Sequence, residues 1–110
     1  WAYPLAGPGV IDADKPRRLV NGRQGFFMFD SLAVDANGDV CVATLVDGGI
    51  TTLSAANDAP SFVSMPDRVT TNICFGGPNL KTAFITLSST GQLVSCPWPV
   101  GGLPLNFLNR

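Results

Sequence analysis

One unit of pattern recurs along this chain and limits what it can fold into: short apolar runs separated by tight turns, then the same series again. Asp30-Ser31-Leu32-Ala33-Val34-Asp35 aligns with Thr71-Asn72-Ile73-Cys74-Phe75-Gly76 at an offset of 41 residues. Gly49-Ile50-Thr51-Thr52-Leu53-Ser54 then aligns with Gly91-Gln92-Leu93-Val94-Ser95-Cys96 at an offset of 42. The runs are rich in Val, Ile, Thr and Phe and are split by Gly, Pro, Asn and Asp, which is strand-and-turn chemistry with no helical periodicity. They predict strands at residues 1–5, 31–34, 40–45, 50–54, 61–64, 72–75, 82–88 and 92–97. Asp35-Ala36-Asn37-Gly38-Asp39 holds the Asn-Gly pair that favours a tight hairpin, and Asp47-Gly48-Gly49 and Ser89-Thr90-Gly91 read as further hairpin turns. Residues 7–25 read as a long polar connection with at most one short strand near Leu19.

A period of about 40–45 residues with about four short strands per unit is the signature of a propeller blade. Two copies fit in 110 residues, whereas a ring closes with about four to eight blades. The predicted class is therefore all-β: two four-stranded blades of a β-propeller, complete only with further residues upstream or by oligomerisation. Residues 26–66 form one blade, 67–104 the next, and 1–25 the end of a preceding blade with its connection. A small β-sandwich whose halves match by chance is the alternative.

Composition narrows the chemistry. With 45% hydrophobic and 14% charged residues, the chain has enough apolar material for a core and is not a disordered segment. Seven basic residues against eight acidic ones give a net charge of −1, so no basic surface points to nucleic acid. The sequence contains neither His nor Glu. That excludes a Ser-His-Asp triad, a Cys-His pair and any imidazole metal ligand, and leaves carboxylate chemistry to Asp and the C-terminus. Cys41, Cys74 and Cys96 are odd in number, lack CxxC spacing and lie in or beside apolar runs, so they read as buried thiols. No window reaches the ~20 apolar residues of a membrane span. The opening Trp1-Ala2-Tyr3-Pro4 has no initiator Met and no leader pattern, which reads as a piece of something longer in a soluble, reducing, cytoplasmic setting.

Two segments carry a family resemblance. Phe29-Asp30-Ser31-Leu32-Ala33-Val34-Asp35-Ala36-Asn37-Gly38-Asp39-Val40-Cys41-Val42-Ala43 resembles a Pro-Asp-Gly segment of the SMP-30/gluconolactonase/luciferin-regenerating-like family. Pro66-Asp67-Arg68-Val69-Thr70-Thr71-Asn72-Ile73-Cys74-Phe75-Gly76-Gly77-Pro78 resembles its Val-Thr-Asn…Phe-Gly-Gly-Pro segment, and Gly91-Gln92-Leu93-Val94 its closing strand. The resemblance implies a six-bladed β-propeller of which this chain is about the last third. It also implies a divalent-metal-dependent hydrolase of sugar lactones and related esters, the cation being Ca²⁺ in first place, with Zn²⁺ or Mn²⁺ as alternatives. In that family the metal is held by a Glu, an Asn and an Asp from different blades. The resemblance carries only the Asp onto this chain, as Asp30, the candidate metal ligand and catalytic residue. Ser31 stands where the family has Gly and Cys41 where it has Trp. The isolated chain is expected to be inactive.

The residues support more than one role. Asp30 follows the apolar run Phe26-Phe27-Met28-Phe29, and the first residues of an innermost blade strand converge on the central channel. A carboxylate among Phe rings is costly unless compensated, and a cation would compensate it; alternatively it caps a turn through backbone amides. The family resemblance favours the first role. Thr71 is its counterpart in the second repeat and Asn72 follows it; with Ser31 these are the candidate substrate-binding residues, although Asn72 also suits backbone capping. Asp35, Asn37 and Asp39 mimic a calcium loop but lack its Gly and Glu, so they read as a turn. Gly76-Gly77-Pro78 is a turn, Arg17 and Arg18 a solvated basic pair, and Trp98, Pro99, Leu105 and Phe107 an apolar tail that packs on blade edges or makes an intermolecular contact. A second reading keeps the class open: a non-catalytic binding module in which several two-blade chains close the ring.

Overall fold

The computed structural model of the chain describes residues 1–21, 25–56 and 59–106. Its elements are β1 (Leu5–Gly7), β2 (Val10–Ile11), β3 (Met28–Val34), β4 (Val40–Leu45), β5 (Gly49–Leu53), β6 (Ser61–Ser64), β7 (Thr70–Gly76), β8 (Thr82–Leu87) and β9 (Gln92–Pro97), with one 3-10 turn at Pro78–Leu80. β1 and β2 form a small hairpin, β3-β4-β5-β6 a four-stranded sheet and β7-β8-β9 a three-stranded sheet, all paired in chain order and antiparallel. Sequential meanders of this kind are blades. The second blade has three strands among the described residues where the sequence pattern suggested four. Its third strand, β9, runs into Pro97, which has no N–H to donate to a further ladder.

The two sheets pack face to face through one apolar core. Cys41, Ala43 and Ile50 from the first sheet meet Ile73, Ala83, Ile85 and Leu87 from the second, with Trp98 closing one side against Phe75 at 6.3 Å between ring centroids. Alternation along the strands puts every second residue into this layer. Burial pushes the Cys41 thiol above its ordinary value, keeping it a protonated packing group. Cys74 departs from the buried-thiol expectation: alternation turns it to the outer face of the second sheet, where it is exposed, and Cys96 is half-buried.

Pairing register reveals how the repeats are related. In β3, Phe29 faces Thr44 and Leu32 faces Val42, so Asp30 and Ser31 together oppose one residue in a β-bulge. In β7, Thr70 faces Leu87 and Ile73 faces Ile85, so Thr71 and Asn72 form the same bulge at the same place. The inner strands thus correspond at an offset of 41, as the sequence alignment has it. The next hairpin does not: Thr44 pairs with Gly49 as Leu87 pairs with Gln92, an offset of 43 in place of 42. That one-residue correction exchanges the two faces. Val40 and Val42, on the outer face of the first sheet, thereby become the counterparts of Ala83 and Ile85 on the inner face of the second, as Leu32 is of Ile73 by the offset of 41. The contact is therefore head-to-tail, the geometry by which units stack around a ring.

The connections differ in part from the sequence pattern. Residues 1–5 were predicted as a strand, but Ala2 makes only an isolated bridge to Arg18 and the strand begins at Leu5. β2 lies inside the segment read as an irregular connection, because Gly9, at a positive φ of 73°, closes a tight turn there. Arg17 is not a freely solvated cation: its guanidinium lies 4.6 Å from the Trp1 ring and donates to Tyr3 Oη at 3.3 Å. In the tail, Trp98 is buried while Pro99 and Leu105 are exposed, and Phe107 lies outside the described residues.

Residues after β9 latch both sheets at one end. The Gly101 carbonyl accepts from the Ala36 N–H at 2.8 Å, Gly102 donates to the Leu80 carbonyl at 2.9 Å and Leu103 to the Val34 carbonyl at 2.9 Å. A Cβ on Gly102 would collide with the Phe75 side chain. We predict that Gly102→Ala destabilises the chain by about 1–3 kcal/mol, and Ile85→Ala by about 2–5 kcal/mol. Urea unfolding followed by Trp fluorescence checks both; a Gly102→Ala midpoint equal to that of the parent chain would refute the latch.

Candidate functional site

The bulge on β3 positions the candidate carboxylate. Two residues squeezed opposite one re-aim their side chains relative to a regular ladder, and here those residues are Asp30 and Ser31, both exposed. β3 starts at Met28, before the predicted strand, because Met28 pairs with Leu45 beyond the bulge. Phe27 and Phe29 stack on each other at 6.1 Å and 13°. Asp30 is exposed beside them, so the desolvation argument for a compensating cation does not operate in this structure. The turn-capping role fails too: no described residue donates a hydrogen bond to Asp30, which stands in a strand.

Other carboxylates are consumed by the fold. Buried Asp35 accepts from the Asn37 and Asp39 N–H groups at 2.9 and 3.0 Å through Oδ1, which makes the Asp35–Asp39 segment a capped hairpin turn, as its sequence indicates. Asp39 accepts from the Ala55 N–H at 2.8 Å. Asp67, 4% exposed, accepts from the Val69 N–H at 2.7 Å and from the Thr90 N–H and hydroxyl at 2.9 and 3.0 Å. These donors, the Val69 amide foremost, hold its carboxyl at about 2, below the ordinary 3.8. Asp67 thereby ties the connection between the sheets to the β8–β9 turn.

The remaining candidates divide between two surfaces. Asp30 lines a cavity of about 240 Å³ with Trp1, Asn21, Phe29, Leu32 and Val42. Asn72 lines another, of about 260 Å³, with Leu32, Cys74, Phe75 and Leu103. Leu32 is common to both, so the inner strands β3 and β7 bring the two residues to adjoining hollows and not to one. Asn72 Oδ1 accepts from the Ile73 N–H at 2.8 Å, a local bond that stiffens the bulge. Thr71 Oγ1 lies 2.9 Å from Thr86 Oγ1 and 2.7 Å from Ser88 Oγ, a hydroxyl ladder across β7 and β8. Among the described residues no three His, Cys, Asp or Glu side chains cluster as a metal site.

The sequence reading missed the cavity at the start of β3. Met28, Leu45, Val46, Arg68 and Val69 line about 380 Å³ there. The Asp47-Gly48-Gly49 signal marked the turn but not the backbone at Val46, whose φ is 72°.

Residues 1–89 match the SMP-30/gluconolactonase/LRE-like region family. The chain belongs to that family. An X-ray structure of a protein provisionally assigned as a gluconolactonase superposes with a TM-score of 0.68 and 27% identity, over 94% of this chain and 32% of that one. This family member thus spans about a third of the length of its solved relative, and its two sheets are blades of that relative's propeller fold.

For this family member the Asp67 contacts give a pH prediction. A carboxyl depressed when folded stabilises fully above its unfolded value near 3.8, and that stability drains away as pH falls towards 2. The urea midpoint should fall between about pH 4 and 2 in the parent chain. Asp67→Asn should be less stable at pH 7 and flatter across that window. Parallel pH profiles for the two chains would refute the assignment.

Proposed function

We propose that the protein of which this chain forms part hydrolyses sugar lactones or related carboxylic esters, with Asp30 as this chain's contribution to the reacting centre. The observation that carries the reading is the state of the Asp30 carboxylate: exposed, without a donor among the described residues, and re-aimed by a bulge on an inner blade strand. Family membership and the gluconolactonase-like neighbour support the reaction class.

Opening a lactone needs a water oxygen to bond to the carbonyl carbon, a proton to leave that water, and the ring C–O bond to break with a proton returned to the freed oxygen. A positioned carboxylate serves the proton steps as general base and then acid. Among the described residues no backbone amide occupies Asp30, which leaves its oxygens available for that role. Ser31, exposed beside it in the bulge, would donate to a substrate hydroxyl. Asn72, through the Nδ2 group left by its local bond, would orient substrate from the neighbouring hollow.

A lone, exposed aspartate oxygen pair also suits a hard divalent cation, Ca²⁺ before Zn²⁺ or Mn²⁺, with other ligands from outside this region. When bound, such an ion polarises a carbonyl and acidifies water.

The test is Asp30→Asn in the protein that carries this chain, assayed on glucono-δ-lactone with Ca²⁺. We expect kcat/KM to fall at least ~100-fold, the lower end for a lost general base, with the thermal midpoint unchanged. A fall smaller than about threefold would refute Asp30 as a catalytic residue.

A further inference from the structure

The inner strands carry a feature that the proton steps do not use. β3 and β7 are edge strands of their sheets and lie side by side. The hollow of about 260 Å³ between them takes residues from both faces of each strand, Leu32 and Ala33 of β3 with Ile73 and Cys74 of β7. Neighbours on one strand point to opposite faces, so a hollow that touches both runs along the strand edges. It is a groove that leads from the bulges towards Val34 and Phe75. Asn72 lies at its bulge end, where Leu32 joins it to the hollow that Asp30 lines.

The residues after β9 close the other end. The Leu103 N–H donates to the Val34 carbonyl at 2.9 Å and the Gly102 N–H to the Leu80 carbonyl at 2.9 Å. That crossing brings Leu80, Leu103 and Leu105 into the lining. Leu32, Leu103 and Leu105 are 57%, 47% and 69% exposed, so the fold leaves apolar surface open around the groove. Among the described lining residues Asn72 alone has an amide or a carboxylate, and its Oδ1 is spent on the Ile73 N–H. Ligand pockets combine apolar walls of this kind with a few placed polar groups. Sugar hydroxyls laid against such walls would give up water without gaining partners, whereas an alkyl chain gains by leaving water.

We propose that this groove is the subsite for the alkyl chain of an aliphatic lactone, the ring held at the Asp30 end and the chain running between β3 and β7 towards Leu103 and Leu105. The proposal rests on the hydrolase reading and chooses among its esters: aliphatic lactones before sugar lactones. Leu103 and Leu105 set the specificity by packing on the far end of the chain.

The experiment uses the protein that carries this chain. On γ-hexalactone, γ-heptalactone and γ-nonalactone, which share one ring and differ in chain length, kcat/KM should rise about two- to fourfold per methylene. γ-Nonalactone should exceed glucono-δ-lactone at least ~10-fold. Leu103→Ser and Leu105→Ser should each lower the ratio of γ-nonalactone to γ-hexalactone at least ~2-fold, the loss of about one methylene contact. Binding is read apart from turnover through Cys74, whose exposed thiol is alkylated with iodoacetamide and followed by peptide mass mapping. α-Pentylcyclopentanone, a ketone that cannot be hydrolysed, should slow that alkylation saturably, and cyclopentanone should need at least ~10-fold more to do so. A flat chain-length profile, a preference for glucono-δ-lactone, equal protection by cyclopentanone, or an unchanged ratio in both variants would each overturn the proposal. The hydrolase reading would survive any of these if Asp30→Asn still abolished turnover. Protection of Cys74 by α-pentylcyclopentanone in a protein that turns over no lactone would instead sink the hydrolase assignment alone.

Discussion

Everything positioned in this chain depends on one layer of side chains, the row of Cys41, Ala43 and Ile50 set against Ile73, Ala83, Ile85 and Leu87. Small residues (Cys41, Ala43 and Ala83) are set among branched ones (Ile50, Ile73, Ile85 and Leu87), with Trp98 filling the flank. Each sheet presents a different face to the contact. A contact of that kind does not close on itself as a two-fold would, and it leaves the equivalent faces at either end of the pair directed outward. Leu32 and Leu93, 57% and 67% exposed, mark those two faces.

The layer holds the inner strands β3 and β7 side by side, and the matching bulges then set what those strands offer. At one bulge the re-aimed pair is Asp30-Ser31 and at the other Thr71-Asn72. Thr71 and Asn72 spend hydrogen-bonding capacity inside the sheet, whereas no described residue bonds to the Asp30 carboxylate. Elsewhere the chain uses carboxylates as structural acceptors: Asp35 in a hairpin, Asp39 on Ala55, Asp67 between the sheets. In a chain without His or Glu, this division of labour among aspartates is most of what chemistry can be built from.

Much of this was legible in the sequence. Residues 40–45, 61–64 and 92–97 were predicted as strands with the bounds they have, because Val-, Ile- and Thr-rich runs between Gly and Asn turns leave little alternative. The Asp30–Thr71 correspondence was legible too, since the inner strands repeat at a constant offset. Other features were not. A bulge leaves no mark in apolar alternation, so β3 and β7 were predicted to start late. The true offset of the outer hairpins depends on pairing register, which turn lengths hide. Cys74 looked buried because its apolar neighbours describe the strand and not which face it takes. Val46 and Arg68 lie 22 positions apart, and nothing local foretells that one would hold the other in a strained backbone.

Among the described residues nothing bonds the Asp30 carboxylate into the fold, in contrast with Asp35. Thermal unfolding of Asp30→Ala and Asp35→Ala, side by side with the parent chain at pH 7, tests it most directly. Removing the two backbone bonds to Asp35 should cost about 1–3 kcal/mol, a fall of at least ~4 °C in a chain of this size, while Asp30→Ala stays within about 2 °C of the parent. A fall in Asp30→Ala equal to that in Asp35→Ala would contradict the account, for it would mean that the β3 bulge is held together by the carboxylate it presents.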